Sequence, residues 1–184
     1  MKLVIVDLDG TLFDTKDVNY YAYKEAIAPY GYEIDYKYYC EICNGRHYMD
    51  FLPQITTNDR SVLEIMHKEK KKIYKKYLNK AIINDRLVDI IRLLHKEYKT
   101  AVVTTASKEN CYDILNQFGV IDLFDLILTH DDVAKSKPNP EGFLKAMAYF
   151  DVKPTDTMIF EDSEVGLEAA ERSGAYYYKT YRFN

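Results

Sequence analysis

Leu3-Val4-Ile5-Val6-Asp7-Leu8-Asp9-Gly10-Thr11-Leu12-Phe13-Asp14 is the stretch on which the reading of this chain turns. Its first four residues are apolar, three of them β-branched, with no polar alternation. That pattern predicts a strand buried on both faces, as in a parallel sheet. The run ends in two carboxylates two residues apart, Asp7 and Asp9, which share one side of the strand if the extension continues. Gly10 then permits a sharp turn. Open α/β sheets bind ligands outside the carboxyl ends of their strands, so this strand carries charge to the place where a ligand is expected. A strand end with solvated acids is the plain alternative for any isolated pair of this kind. The length of the pattern on both sides of the pair argues against it.

The chain has 184 residues, which fits one domain or one domain with a modest insertion. Hydrophobic residues make up 47% and charged residues 29%, so a sizeable core is expected and disorder is not. The net charge of −4 argues against a broad nucleic-acid surface. No apolar run approaches the roughly 20 residues of a membrane span. The first apolar run stops at Asp7 and is no secretion signal, so a cytoplasmic location is expected. Cys40, Cys43 and Cys111 are too few for a disulfide scaffold. Cys40 and Cys43 have redox-motif spacing, but neither a βαβ context nor a second ligand pair accompanies them. The 18 tyrosines are expected to turn their rings to the core and their hydroxyls to water.

Beyond Asp14 the periodicity is helical. Tyr20, Tyr23, Ala26, Ile27 and Tyr30 predict a first helix that Gly31 ends. Shorter helices are expected over 36–43 and 49–55. The longest runs from about Asn58 to Lys80, with Val62, Ile65, Met66, Ile73, Tyr77 and Leu78 as its apolar stripe. Lys68, Lys70, Lys71, Lys72, Lys75 and Lys76 read as its solvated face. Residues 15–84 are therefore expected to be all-helical, without a strand. From Asp85 onward strands alternate with helices. Strands are expected at 100–104, 126–128, 157–160 and 175–179. Ser107, Asn139 and Ser163 are the expected helix caps. This order predicts an α/β fold: a doubly wound parallel sheet formed by 1–14 and 85–184. The helical block 15–84 is an insertion directly after the acidic strand end, placed to act as a lid.

Strand ends then bring Asp7 and Asp9, Thr104 with Thr105, the Lys137 loop, and Glu161 with Asp162 to one edge. Two carboxylates about 4 Å apart at an effective dielectric near 20 repel by roughly 4 kcal/mol. One lysine cannot offset several such pairs, whereas a divalent cation does. Hard oxygen ligands favour Mg²⁺, which takes one or two carboxylates and a substrate phosphate. A carboxylate attacks phosphorus to give an aspartyl phosphate, and a second one protonates the leaving alkoxide and later activates water. Asp7 and Asp9 fit those two roles.

Four segments of this chain resemble the four motifs of the haloacid dehalogenase-like hydrolases. They are Asp7-Leu8-Asp9-Gly10-Thr11, Val103-Thr104-Thr105-Ala106-Ser107, Lys137-Pro138-Asn139-Pro140 and Glu161-Asp162-Ser163 with Gly166. The insertion resembles the small helical cap of the subfamily that contains β-phosphoglucomutase and phosphoglycolate phosphatase. The resemblance implies Asp7 as nucleophile and metal ligand, and Asp9 as acid/base with its backbone carbonyl on the metal. It implies Thr104, with Thr105 as the competing choice, on the phosphoryl group, and Lys137 bridging that group and Asp7. Asp162 is the implied Mg²⁺ ligand, with Glu161 a second ligand or a supporting partner.

Asp9 argues for phosphoryl transfer over carbon–halogen cleavage, because a halide leaves without a proton. A sugar phosphomutase of the resembled type has a histidine near the position of Asn19, so a phosphatase is expected here. Arg46, in the turn Asn44-Gly45-Arg46, is the candidate ligand for a distal anionic group of the substrate. A Mg²⁺-dependent phosphatase of a small phosphorylated metabolite is the resulting expectation. A phosphomutase, and a non-catalytic binding protein of the same fold, are the alternatives.

Overall fold

The computed structural model describes residues 1–181 and 183. In order, the chain forms β1 (Leu3–Val6), β2 (Phe13–Asp14), α1 (Lys16–Ile27), α2 (Tyr36–Tyr38), α3 (Tyr48–Ile55), α4 (Arg60–Ile73), β3 (Ile82–Ile83) and α5 (Asp85–Leu94). It continues through β4 (Lys99–Val103), α6 (Lys108–Gln117), β5 (Leu126–Leu128), α7 (Glu141–Tyr149), β6 (Thr157–Glu161), α8 (Glu164–Ser173) and β7 (Tyr176–Lys179). The chain divides into two compact units: Met1–Asp14 with Ile82–Asn184, and Thr15–Ala81.

The first unit is built on a five-stranded parallel sheet in the order β5-β4-β1-β6-β7. β1 lies at its centre, with Leu3 in register with Lys99 on one side and Thr157 on the other. All four of its residues are fully buried, which accounts for the uninterrupted apolar run. Strand alternation sends Leu3 and Ile5 into a core made with Phe143, Ala146 and Met147 of α7 and Ala169 and Ala170 of α8. α5 packs on β4. Gly174 ends α8 in a left-handed conformation, φ +77°, and its N–H closes onto the Glu171 carbonyl.

In this unit two local expectations are corrected. The segment before α5 is not free of strand: Ile82 and Ile83 pair antiparallel with Asp14 and Phe13. Two-residue strands carry no readable periodicity. Ser107 also makes no side-chain cap on α6. The Lys108 N–H is taken by Asp131 Oδ2 at 2.9 Å from the loop after β5. A tertiary acceptor has replaced the local one.

The second unit packs α1 against α4. Its core contains Tyr20, Tyr23, Ile27, Phe51, Leu52 and Met66. Two of the buried tyrosines satisfy their hydroxyls inside the protein: Tyr23 meets His67 Nδ1 at 2.9 Å, and Tyr20 donates to the Ile34 carbonyl. α4 ends at Ile73, and residues 74–80 tighten into a 3₁₀ helix. Its buried stripe is Leu63, Met66 and Lys70, while Ile65 is exposed. Lys70 thus does not belong to the solvated lysine face. Its ammonium donates to Asn19 Oδ1 and lies over the rings of Tyr23 and Tyr74, 5.1 and 4.8 Å from their centroids. Cys40 and Cys43 lie unbridged in a π-helical turn. Burial raises the pKa of the Cys43 thiol, which keeps it protonated.

Ile5→Ala removes a fully buried side chain from the central strand and leaves a cavity. It should cost about 2–5 kcal/mol in chemical denaturation; an unchanged midpoint would contradict the packing described.

Candidate active site

Asp7 follows the last residue of β1, and its N–H donates to the Phe160 carbonyl of β6 at 3.0 Å. The chain then turns tightly. Leu12 and Phe13 donate to the Leu8 carbonyl, and Gly10 donates to the Phe13 carbonyl at 2.7 Å. Gly10 sits at φ +92°, and a β-carbon there would lie 2.2 Å from Asp162 Oδ2. Only glycine allows both that backbone angle and that approach. Thr11, quoted in the first motif without a role, donates its hydroxyl to Asp162 Oδ1 at 2.8 Å.

Lys137 arrives from the loop after β5. Its Nζ lies 2.6 Å from Asp7 Oδ1, 2.6 Å from Glu161 Oε2 and 3.1 Å from the Val103 carbonyl at the end of β4. The lysine side chain is 8% exposed, as is that of Asp7; that of Glu161 is 1% exposed. Glu161 Oε1 accepts the N–H groups of Asp162 and Ser163 and the Ser163 hydroxyl, each at 3.0 Å. Ser163 also caps α8 by accepting the Gly166 N–H at 3.1 Å. A β-carbon on Gly166 would lie 2.0 Å from the Glu161 carboxyl carbon. Gly166 therefore makes room for a buried carboxylate, a role its sequence position inside a helix did not signal.

Burial, and then the nearby Glu161 carboxylate, push the Asp7 carboxyl well above the usual range, while Lys137 pulls it back. Burial alone would lower Lys137, but Asp7 and Glu161 outweigh it and hold the ammonium above an ordinary lysine. Burial raises Asp162 to about 6 against the pull of the Thr11 hydroxyl, with Glu161 adding to the rise. Oxygen atoms of Asp7, Glu161 and Asp162 lie within 4.8 Å of one another. Three acids facing one ammonium leave a surplus of negative charge in a buried place. An all-oxygen donor set with that surplus fits a hard divalent cation of the Mg²⁺ type.

The other expected residues fall as follows. Asp9 is partly buried in the turn, bridged to Phe13. Among the described residues it adds no carboxylate to that acid cluster. Thr104 is 4% exposed, and its hydroxyl oxygen accepts the Ala106 N–H at 3.0 Å. Thr105, one residue on, is exposed. Arg46 belongs to the helical unit, on the exposed turn after Cys43. Asp131 and Asp132 serve the backbone: the first caps α6, and the second closes a capping box with Thr129.

A parallel sheet with acids at the ends of β1 and β6 and a lysine between them gives an α/β fold with a charged site at the carboxyl ends of its strands. Residues 4–178 match the haloacid dehalogenase-like hydrolase family, and the chain belongs to it. The family it belongs to is one of hydrolases. It is 27% identical to fructose-1-phosphate phosphatase YqaB of Escherichia coli (strain K12) over 93% of this chain and 92% of that one. It is 31% identical to the beta-phosphoglucomutase of Bacillus subtilis (strain 168) over 96% of this chain and 81% of that one. The structure of CbbY from Rhodobacter sphaeroides in complex with phosphate has the same fold. Its TM-score is 0.85 at 24% identity, covering 100% of this chain and 87% of that one. Among the described residues, no helix is long and apolar enough to cross a membrane.

Alanine normally stabilises a helix relative to glycine by about 1 kcal/mol. Gly166→Ala should do the reverse, costing on the order of 1–3 kcal/mol as the new methyl group displaces the Glu161 carboxylate. A rise in melting temperature would contradict this contact.

Proposed function

We propose that the protein is a Mg²⁺-dependent phosphatase that hydrolyses the phosphomonoester of a small metabolite through an aspartyl phosphate on Asp7. The observation that carries this reading is the buried Lys137 ammonium held 2.6 Å from both Asp7 and Glu161. It fixes one carboxylate at a strand end and supplies positive charge beside it. Relatives named as acting on fructose 1-phosphate and on phosphorylated carbohydrates support a sugar phosphate as the substrate class.

In the proposed reaction an Asp7 oxygen attacks phosphorus and the bond to the leaving alkoxide breaks. Asp9 gives its proton to that alkoxide. Asp9 then takes a proton from water, whose oxygen attacks phosphorus, releasing phosphate and restoring Asp7. Lys137 balances charge on Asp7 and on the transferring group. Asp7, the Asp9 carbonyl and Asp162 would hold the Mg²⁺. The bound ion would neutralise the acids and draw charge from the phosphoryl oxygens. The Glu161 carboxylate already accepts from the Lys137 ammonium, the Asp162 and Ser163 N–H groups and the Ser163 hydroxyl. We therefore assign Glu161 to orienting Lys137 and the start of α8, and leave the metal to its neighbour. Of the two hydroxyls we assign Thr105 to the phosphoryl group, since Thr105 is exposed while Thr104 is buried. Arg46 enters on sequence grounds alone, as the ligand of a distal anion.

Transfer to water rather than to a second sugar hydroxyl is supported by Asn19. Its Nδ2 donates to the Thr15 carbonyl and hydroxyl, and its Oδ1 accepts from Lys70. An amide cannot take up or release a proton as a histidine does.

Phosphate release should be measured over a panel of sugar phosphates with product identification. Asp7→Asn should abolish turnover, and EDTA should do so reversibly, with Mg²⁺ restoring it. Full activity in either case would sink the mechanism, and isomerised product in place of free phosphate would make the enzyme a mutase. No turnover across the panel, with Mg²⁺ still bound, would favour the binding-protein alternative. Thr105→Val should lower kcat on the order of 10²-fold, the usual cost of one lost oxyanion donor. Thr104→Val should cost less; the opposite ranking would reverse the assignment.

A further inference from the structure

Lys137 must reach two carboxylates from a loop, and the loop needs something to hold it. The residues that follow supply the hold. Glu141, the first residue of α7, turns its carboxylate back along the chain. Oε1 accepts the Ala134 N–H and Oε2 the Lys135 N–H, both at 2.9 Å. The Glu141 N–H itself donates to Asn139 Oδ1 at 3.0 Å. One helical turn on, Lys145 Nζ lies 2.8 Å from Glu141 Oε1 and donates to the Asp132 carbonyl at 2.9 Å. Both ends of the 132–141 segment are thus tied to the start of α7. The Lys145 ammonium, then the Ala134 and Lys135 N–H groups, draw the Glu141 carboxyl down to about 2.

The next two residues act on the same loop. A β-carbon on Gly142 would lie 2.7 Å from Val103 Cγ1, so glycine lets α7 close on the strand end whose carbonyl accepts Lys137. The Phe143 ring lies 5.1 Å from the Lys137 ammonium. Glu141, Gly142 and Phe143 therefore fix the loop backbone, its approach to the strand and one wall around the ammonium.

We propose that Glu141 is a positioning residue for Lys137. Its carboxylate clamps the loop so that the ammonium sits between Asp7 and Glu161, and it touches no reacting atom itself. This rests on the reading of Asp7 and Lys137 as the phosphoryl-transfer site. Glutamine at 141 keeps the size of the side chain but turns one acceptor into an N–H₂ group facing a backbone N–H. The loop must shift to relieve that contact, and misplacements of about 1 Å at a distance from the chemistry cost up to roughly 10²-fold in rate.

The test uses the full chain, Mg²⁺ and p-nitrophenyl phosphate. Glu141→Gln should lower kcat at least about tenfold with KM nearly unchanged. Added to Lys137→Ala, it should give no further loss, because its effect passes through the lysine. The same fold-loss in the Lys137→Ala background as in the wild type would overturn the proposal. A second readout is independent of turnover. The buried ammonium of Lys137, identified by its disappearance in Lys137→Met, should give a slowly exchanging ¹⁵N–¹H signal that exchanges faster in Glu141→Gln. An unchanged signal in folded Glu141→Gln would overturn the clamp. A wild-type enzyme that releases phosphate from no monoester would instead defeat the phosphatase reading, with the ammonium signal still deciding the role of Glu141.

Discussion

The contact between Lys137 and its two carboxylates sets the terms for the first unit. An ammonium carried into a protein loses its hydration, and the loss is recovered only by close, well-directed acceptors. Here the acceptors come from three places in the chain: Asp7 after β1, Glu161 at the end of β6 and the Val103 carbonyl at the end of β4. β1 pairs with both of the other strands, so the sheet holds the three acceptors in register. The lysine comes from outside that register, on a loop. The sheet is rigid by its ladders, and the loop is made rigid by side chains.

Such a meeting needs space, and three glycines supply it. Gly10, Gly142 and Gly166 each stand where a β-carbon would fall within 3 Å of a neighbour. The neighbours are Asp162, Val103 and Glu161, the first and last of them members of the acid cluster and the second the strand-end residue bonded to Lys137. Gly142 and Gly166 lie in helices, where glycine is locally unfavourable. Helix propensity has been sacrificed where a backbone must come close to a site.

The strands were legible because full burial leaves an unbroken apolar run, and their acidic ends because a charge ends such a run sharply. Lys137 was legible through the segment around it rather than through any pattern of its own. Less could be read where long-range contacts overrule local ones. Ser107 had the right residue type for a cap, but Asp131 takes its place. Lys70 had the spacing of a surface lysine, yet aromatic rings bury it. The pairing of Phe13 and Asp14 with Ile82 and Ile83 joins residues almost seventy positions apart with too few residues for a period. Nothing in the sequence singles out Glu141 from other acids in a first helical turn, and only the fold reveals that its oxygens face back to Ala134 and Lys135.

The acid cluster also bears on whether the site is a structural device. Stability alone would be served as well by apolar side chains of similar size in place of buried charges. Here three carboxylates gather within 4.8 Å of one another around a single ammonium, so the charges do not cancel. The pKa values of Asp7 and Asp162 are raised in the folded chain. A carboxyl of that kind binds its proton more tightly folded than unfolded, so its contribution to stability declines as pH rises through the two pKa values. At neutral pH these two carboxyls therefore weigh against folding, while the raised pKa of Lys137 acts in the opposite sense. Arrangements that a fold maintains at such a cost cluster at functional sites. The surplus negative charge is the feature that a bound cation would use, and a stabilising ion pair would have no need of it.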